Sequence, residues 1–134
     1  MGGTIVWNDE ETLGGTNNAV RIVQNPTEKE ELGHRFPFES PMVVMDVDRD
    51  GKMELLAVKN ILSNELLKTY TVYPTSQLVA YKIEGTTLNR AWVSREIPYC
   101  IMDLAVDGKI LYMAVAKSKL TNLSAGSSRV MWFE

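Results

Sequence analysis

Short apolar runs separated by turn residues dominate the chain and predict β-strands. Most runs are five to eight residues long, rich in Val, Ile, Leu and aromatic residues, and bounded by Gly, Pro, Asp or Asn. The predicted strands are 5–7, 19–23, 42–46, 54–59, 77–83, 88–96, 99–103 and 129–134. Strands 77–83 and 88–96 flank the turn Glu84-Gly85-Thr86-Thr87 and predict a hairpin. The pattern indicates an all-β protein.

The segments between these strands are predicted to be connections. Residues 27–33 carry a capping-box spacing and a terminal glycine, which predict one or two turns of helix. Two long connections are expected at 60–76, with one helical turn at 62–68, and at 116–128. His34 is predicted to lie in a loop.

The sequence contains an internal repeat. Residues 41–58 lie over 98–115 without a gap, at an offset of 57 (98 − 41), and Pro, Met, Asp, Asp, Gly, Lys, Ala and Val coincide. The strand 129–134 mirrors 77–83. A period of roughly 50–60 residues built from four short strands is typical of a β-propeller blade.

The repeat divides the single predicted domain, 1–134, into three parts. Residues 1–41 would supply strands that complete a preceding blade plus a loop, 42–97 a full blade, and 98–134 a partial blade. Propellers close with about four to eight blades. About two blades therefore indicate a fragment of a larger propeller, a small open β-sheet domain, a compact two-blade sandwich, or blades whose open edges self-associate.

Composition excludes several classes of partner. The net charge of −3 argues against nucleic acid, and no apolar run is long enough to span a bilayer. The only cysteine, Cys100, lies in an apolar strand and is predicted to be a small buried core residue. Trp7, Trp92 and Trp132 fall in strands and are expected to pack between blades.

The strongest chemical signal follows strand 42–46. Asp46, Asp48, Asp50 and Glu54 occupy relative positions 1, 3, 5 and 9, and a glycine stands at position 6. Ca²⁺ takes six to eight oxygens at roughly 2.3–2.6 Å, which alternate carboxylates around a tight turn can provide. A positive φ at the glycine would let the Lys52 carbonyl point back at the ion. The pattern predicts a Ca²⁺ site.

Two other kinds of loop share parts of this pattern. An EF-hand requires a carboxylate at position 12 and flanking helices, but position 12 is Ala57 and the flanks are strand-like. A solvated acidic turn remains an alternative, because Asp and Gly are ordinary turn residues.

The repeated loop is degenerate: it keeps Asp103 and Asp107, but Ala105 and Leu111 replace two of the predicted ligands. We expect that loop to keep the turn without binding Ca²⁺.

The stretch from Asp46 to Leu56, between two apolar strands, resembles the FG-GAP/VCBS repeat, the calcium-loop blade of integrin α-subunit propellers and bacterial surface proteins. The resemblance covers about 42–134. It implies β-propeller blades, Ca²⁺ bound by the Asp46, Asp48, Asp50 and Glu54 side chains and the Lys52 carbonyl, and roles in protein binding or cell adhesion. It also implies an extracytoplasmic location, periplasmic, secreted or cell-surface, as part of a longer precursor.

The leading functional hypothesis is a non-catalytic binding or scaffold module with a structural Ca²⁺ loop and a protein or carbohydrate partner. Tyr70 and Tyr73 would form a partner surface, or their segment would fold back to cover a sheet edge. The alternative is part of a propeller hydrolase or lyase. The sequence offers a single histidine and none of the nucleophile-elbow, P-loop or dinucleotide-binding motifs, so no catalytic residue is assigned.

Overall fold

The computed structural model describes residues 12–17, 19–22, 34–63, 72–85, 87–119 and 122–134. Every regular element in these ranges is a strand, which confirms the all-β prediction. The strands are β1 (Ala19–Ile22), β2 (His34–Pro37), β3 (Val43–Met45), β4 (Glu54–Ile61), β5 (Thr75–Glu84), β6 (Thr87–Val93), β7 (Cys100–Asp107), β8 (Ile110–Lys119) and β9 (Asn122–Phe133).

The strands form antiparallel meanders in which neighbours in sequence are neighbours in space. The first sheet has four strands in the order β3-β4-β5-β6, and the second has three in the order β7-β8-β9. A separate pair joins β1 to β2. Each pairing within the two sheets is antiparallel. Both sheets thus share one topology over their first three strands, as the repeat requires.

The two sheets pack together through a common apolar core. Alternate residues of β4 and β5 face the second sheet. Within the first sheet, Leu56 of β4 is paired with Ala80 of β5, and Val58 is paired with Leu78. The buried members of this core are Met45, Leu56, Val58, Leu78, Ala80, Ile101, Leu104, Leu111, Met113 and Val115. β7 is the strand of the second sheet that contacts β3, β4 and β5.

The opposite face of the first sheet is also covered. Ala57, Val79 and Tyr81 form a smaller buried cluster, against which Leu13 from the N-terminal segment and Leu88 pack. β4 and β5 are therefore buried on both faces. This explains why their sequences show continuous apolar runs instead of strict alternation.

Asn60 connects three parts of the fold at one end of the core. Its amide nitrogen donates to the carbonyl oxygens of Ile101, at 2.9 Å, and Gly15, at 2.5 Å. Its amide oxygen accepts from the Ile101 N–H at 2.9 Å. Beyond the short β3, Gly14 pairs with the free edge of β4 through its N–H to Val58 and its carbonyl to Asn60. A buried polar side chain thus fixes the second sheet and the N-terminal segment to β4.

Several predictions about connections were wrong. The predicted connection 116–128 is strand, because β8 runs to Lys119 and β9 starts at Asn122. Ser and Gly are frequent in this stretch and are typical of loops, but the backbone pairing runs from Ala116↔Ser128 to Lys119↔Asn122. The expected loop around His34 is also wrong, since residues 34–37 form β2 and pair with β1. The predicted strand 5–7, the helical turns at 27–33 and most of those at 62–68 lie outside the described residues.

The tryptophan prediction was also wrong for two of the three residues. Trp92 on β6 is 45% exposed and Trp132 on β9 is 69% exposed, so neither is packed between sheets. Both lie on outer strands, where the side chain faces solvent. Trp7 lies outside the described residues. The prediction for Cys100 is confirmed, since it is fully buried beside the shared core.

We expect Gly15→Ala to destabilise the protein by about 2–3 kcal/mol, because a left-handed backbone alone costs about 1–2 kcal/mol for a residue with a side chain. Gly15 has φ +80°, and an added Cβ would lie 2.6 Å from Cε1 of Tyr73. Urea denaturation measures the change. Gly85→Ala is the control, since Gly85 has φ +64° but open space around it. Equal losses for the two variants would contradict the proposed clash.

Candidate metal centre

The loop between β3 and β4 is shaped by its own aspartates. Asp46 accepts hydrogen bonds from the N–H groups of Asp50, at 3.1 Å, and Gly51, at 3.0 Å. Asp48 accepts from the Asp50 N–H at 3.2 Å, and Asp50 accepts from the Lys52 N–H at 2.8 Å. These hydrogen bonds give the backbone N–H groups of residues 50–52 acceptors and place the three carboxylates on the inside of the turn.

Two positive φ angles make the turn tight. Gly51 has φ 86°, as the sequence predicted for position 6 of the loop. Arg49 has φ 61°, and it is the one non-glycine residue with positive φ in the described part of the chain. A positive φ is unfavourable for a residue with a side chain, so the surrounding hydrogen bonds must hold Arg49 in this conformation.

The loop brings together three of the four predicted carboxylates. One oxygen each from Asp46, Asp48 and Asp50 lies within 4.8 Å of the others. Two oxygens bound to the same Ca²⁺ are at most about 5 Å apart, so this separation fits a shared cation. Glu54 does not belong to this group. The structure shows Lys52 as an N–H donor to Asp50, and its carbonyl as a ligand stays a prediction.

Glu54 is buried at the start of β4, on the face that carries Leu56, Val58 and Asn60. Its Oε2 accepts a hydrogen bond from the Val47 N–H at 2.9 Å, which ties the loop to the strand. Its Oε1 has no hydrogen-bond partner among the described residues. A buried, unpaired charged oxygen is costly, on the order of 1–3 kcal/mol or more. A bound water molecule or a bound ion would remove this cost.

Lys82 is a member of the site that sequence reasoning missed. It lies directly opposite Glu54 in the β4–β5 register. Its ammonium is 2.7 Å from Oδ2 of Asp48 and 2.6 Å from Oδ2 of Asp50, and 4.0 Å from the unpaired Oε1 of Glu54. The last distance is an ion-pair contact but too long for a hydrogen bond. Lys82 therefore reaches two aspartates and leaves Glu54 unsatisfied.

These contacts shift the pKa of both partners. The hydrogen bond from Lys82, followed by that from the Lys52 N–H, lowers the pKa of Asp50 below 3.8. The hydrogen bonds to Asp48 and Asp50 raise the pKa of Lys82 above its ordinary value. Both shifts favour the charged forms of Asp50 and Lys82.

The second copy of the loop is organised differently. Asp103 and Asp107 are exposed residues of β7, which continues to a turn at Gly108 and Lys109. Asp107 pairs with Ile110 across this turn, so no open loop separates the two strands. Where the first sheet pairs Glu54 with Lys82, the second pairs Leu111 with Phe133. An apolar pair thus replaces a charged pair.

The remaining predicted residues have structural surroundings. Tyr73 is half-buried, and its backbone N–H and carbonyl form hydrogen bonds of 2.9 Å with the side chain of Asn17. Its ring lies against Gly15, next to Gly14, which pairs with the free edge of β4. Burial raises the pKa of the Cys100 thiol, so the thiolate is disfavoured. Tyr70 and the side chain of His34 lie outside the described residues.

A groove of about 380 Å³ lies beside the candidate metal centre, between the ends of the two sheets. Its walls combine loop residues, Asp46 and Arg49 among them, with apolar side chains from both sheets, including Leu56, Trp92 and Phe133. The loop therefore forms part of the wall of this groove.

Comparison with protein-family models, with curated proteins and with solved structures finds no match for this chain. Within the described residues, no helix has the length and apolarity needed to cross a membrane. The fold and the loop geometry are therefore the grounds for a functional proposal.

We expect the pKa of Asp50 to lie below 3.8 in metal-free protein and to rise in Lys82→Met, because the variant lacks the hydrogen bond that is the largest cause of the shift. A lowered pKa means that Asp50 stabilises the fold above its unfolded pKa, and that this contribution is lost as pH falls through the folded pKa. A carboxyl-carbon NMR titration measures both values. Asp103 serves as the control, and an unchanged Asp50 midpoint in the variant would contradict the assignment.

Proposed function

We propose that the protein is a non-catalytic binding or scaffold module of propeller-like blades, in which the loop 46–54 binds Ca²⁺ as a structural ion. The observation that carries the proposal is the buried Oε1 of Glu54, which lacks a hydrogen-bond partner among the described residues and lies next to the aspartate cluster. A solvated acidic turn does not require a fully buried glutamate. A cation site uses such a residue as a further carboxylate ligand.

The ion would act on stability. Asp46, Asp48 and Asp50 would hold it from the loop, and Glu54 would hold it from β4. The ion would supply the positive charge that these four carboxylates lack, and it would fix the β3–β4 connection. The resemblance to extracytoplasmic calcium-loop repeats adds a location where Ca²⁺ is abundant and where affinities of about 10⁻⁴–10⁻³ M are sufficient.

We expect Ca²⁺ to raise the melting temperature. At about ten times a dissociation constant of about 10⁻³ M, a ligand that binds only the folded state stabilises it by about 1.4 kcal/mol. For a chain of this length, that corresponds to a rise of about 5 °C. Differential scanning calorimetry in Ca²⁺ and in chelator measures the difference.

Asp50→Asn should abolish this rise. Asp107→Asn is the matched control, because Asp107 occupies the same repeat position on an exposed strand of the second sheet. Identical melting curves for the wild-type protein in Ca²⁺ and in chelator would refute the metal site.

The scaffold part of the proposal rests on the sheet edges. Large apolar side chains are exposed on three outer strands of the described sheets: Val44 on β3, Trp92 on β6 and Val130 and Trp132 on β9. Exposed apolar residues on outer strands favour association with another protein or with a second copy.

We expect self-association through these edges, seen by multi-angle light scattering as a mass that rises above 15.1 kDa with concentration. Trp132→Ser should reduce the rise, because it removes the most exposed large apolar side chain. Ile83→Ser is the control, since Ile83 is also exposed but lies on the inner strand β5. A constant monomer mass for the wild-type protein would exclude self-association and leave a separate partner.

A further inference from the structure

Lys82 lies within the candidate metal centre and is near three carboxylates instead of one. Its ammonium approaches three carboxylates that come from two different parts of the chain, the loop and β4. A cation bound to Asp48, Asp50 and Glu54 would need oxygens that Lys82 also contacts. The ammonium and a metal ion are therefore competitors for the same ligands.

The second sheet supports a specific link between Lys82 and the acidic residues. At the position of Glu54 it has Leu111 (111 − 54 = 57), and directly opposite Leu111 is Phe133. The charged residues of the pair are therefore absent together from the copy that has lost two of the loop acids. Both members of the charged pair are apolar in the second sheet, which indicates that the lysine acts together with the acid opposite it.

The buried Glu54 is the independent sign that a cation is needed there. It is almost completely buried, and its Oε1 has no hydrogen-bond partner among the described residues. Lys82, held by Asp48 and Asp50, stops 4.0 Å short of it. The lysine thus neutralises part of the cluster and does not complete it.

We propose that Lys82 is the affinity-setting residue of the metal centre: a tethered cation that Ca²⁺ must displace from Asp48 and Asp50 before it can bind. This inference rests on the proposed Ca²⁺ site and adds a residue that controls it. Displacement costs the ion pairs of Lys82, which weakens Ca²⁺ binding. The same ion pairs relieve the repulsion among the carboxylates when Lys82 is in place.

The test is Ca²⁺ titration by isothermal calorimetry of the wild-type protein and of Lys82→Met. The variant keeps the apolar stem of the side chain and loses the charge. We expect it to bind Ca²⁺ about tenfold more tightly, because a unit positive charge a few ångströms from a divalent ion is repelled even at the dielectric constant of water. Lys82→Arg, which keeps the charge, should retain weak binding.

Lys52→Met is the matched control for general electrostatics. It removes a charge of the same sign from the loop itself, whereas Lys82 lies on β5, and Lys52 contacts the cluster through its backbone N–H. We expect a change of at most about threefold, consistent with an exposed charge at a greater distance. Equal effects of Lys52→Met and Lys82→Met would overturn the displacement model, since only the general field would then matter.

Thermal melting provides a second test, because the change in melting temperature caused by Lys82→Met should differ between chelator and Ca²⁺. In chelator, Lys82→Met should melt below the wild-type protein, because the carboxylates lose their counter-charge. In saturating Ca²⁺, the variant should melt at the same temperature or above it. Lower melting temperatures in both conditions would show that Lys82 is a static ion-pair partner and would overturn the proposal.

The outcomes also separate this inference from the proposed function. If the wild-type protein and Lys82→Met bind Ca²⁺ with the same affinity, the metal site stands and the role of Lys82 is refuted. If neither protein binds Ca²⁺, the metal site itself is refuted, and the role of Lys82 falls with it. If only the variant binds, Lys82 competes with Ca²⁺ as proposed, but the natural protein does not bind Ca²⁺ and the proposed function is refuted.

Discussion

The structure depends on one apolar interface, in which alternate residues of β4 and β5 face the second sheet. A sheet of three strands cannot bury its own face, and each fully buried Leu, Ile, Val or Met contributes about 1.5–3 kcal/mol only when something covers it. The two meanders provide this cover for each other through Leu56, Val58, Ile101 and Met113. The alternation that places these residues inside also determines what lies at the two ends of the same face.

Both ends of that face on β4 are polar, and each has a different role. Asn60 satisfies its amide group completely with backbone partners from the second sheet and the N-terminal segment, so it joins parts of the fold. Glu54 satisfies one oxygen with the loop backbone and leaves the other unpaired. Asn60 is therefore hydrogen-bonded within the protein through both atoms of its amide, whereas one oxygen of Glu54 has no hydrogen-bond partner among the described residues.

The two repeats show two physical solutions to the same strand connection. The first keeps an open loop in which aspartates organise the backbone and Lys82 offsets part of their charge. The second continues β7 into a tight turn and pairs Leu111 with Phe133. Apolar pairing needs no ion, while clustered carboxylates repel unless a cation lies among them. The short turn therefore needs no counter-charge, whereas the acidic loop does.

The sequence by itself determined the all-β class, the repeat, most strands, the buried Cys100 and the glycine with positive φ at position 51, because apolar runs and turn residues act locally. Tertiary structure alone decided the long β8–β9 hairpin, the exposure of Trp92 and Trp132, and the place of Lys82. These depend on strand register and on which face another sheet covers. Lys82 is 28 residues from Glu54 in the chain (82 − 54), and only the antiparallel pairing of β4 with β5 makes them neighbours.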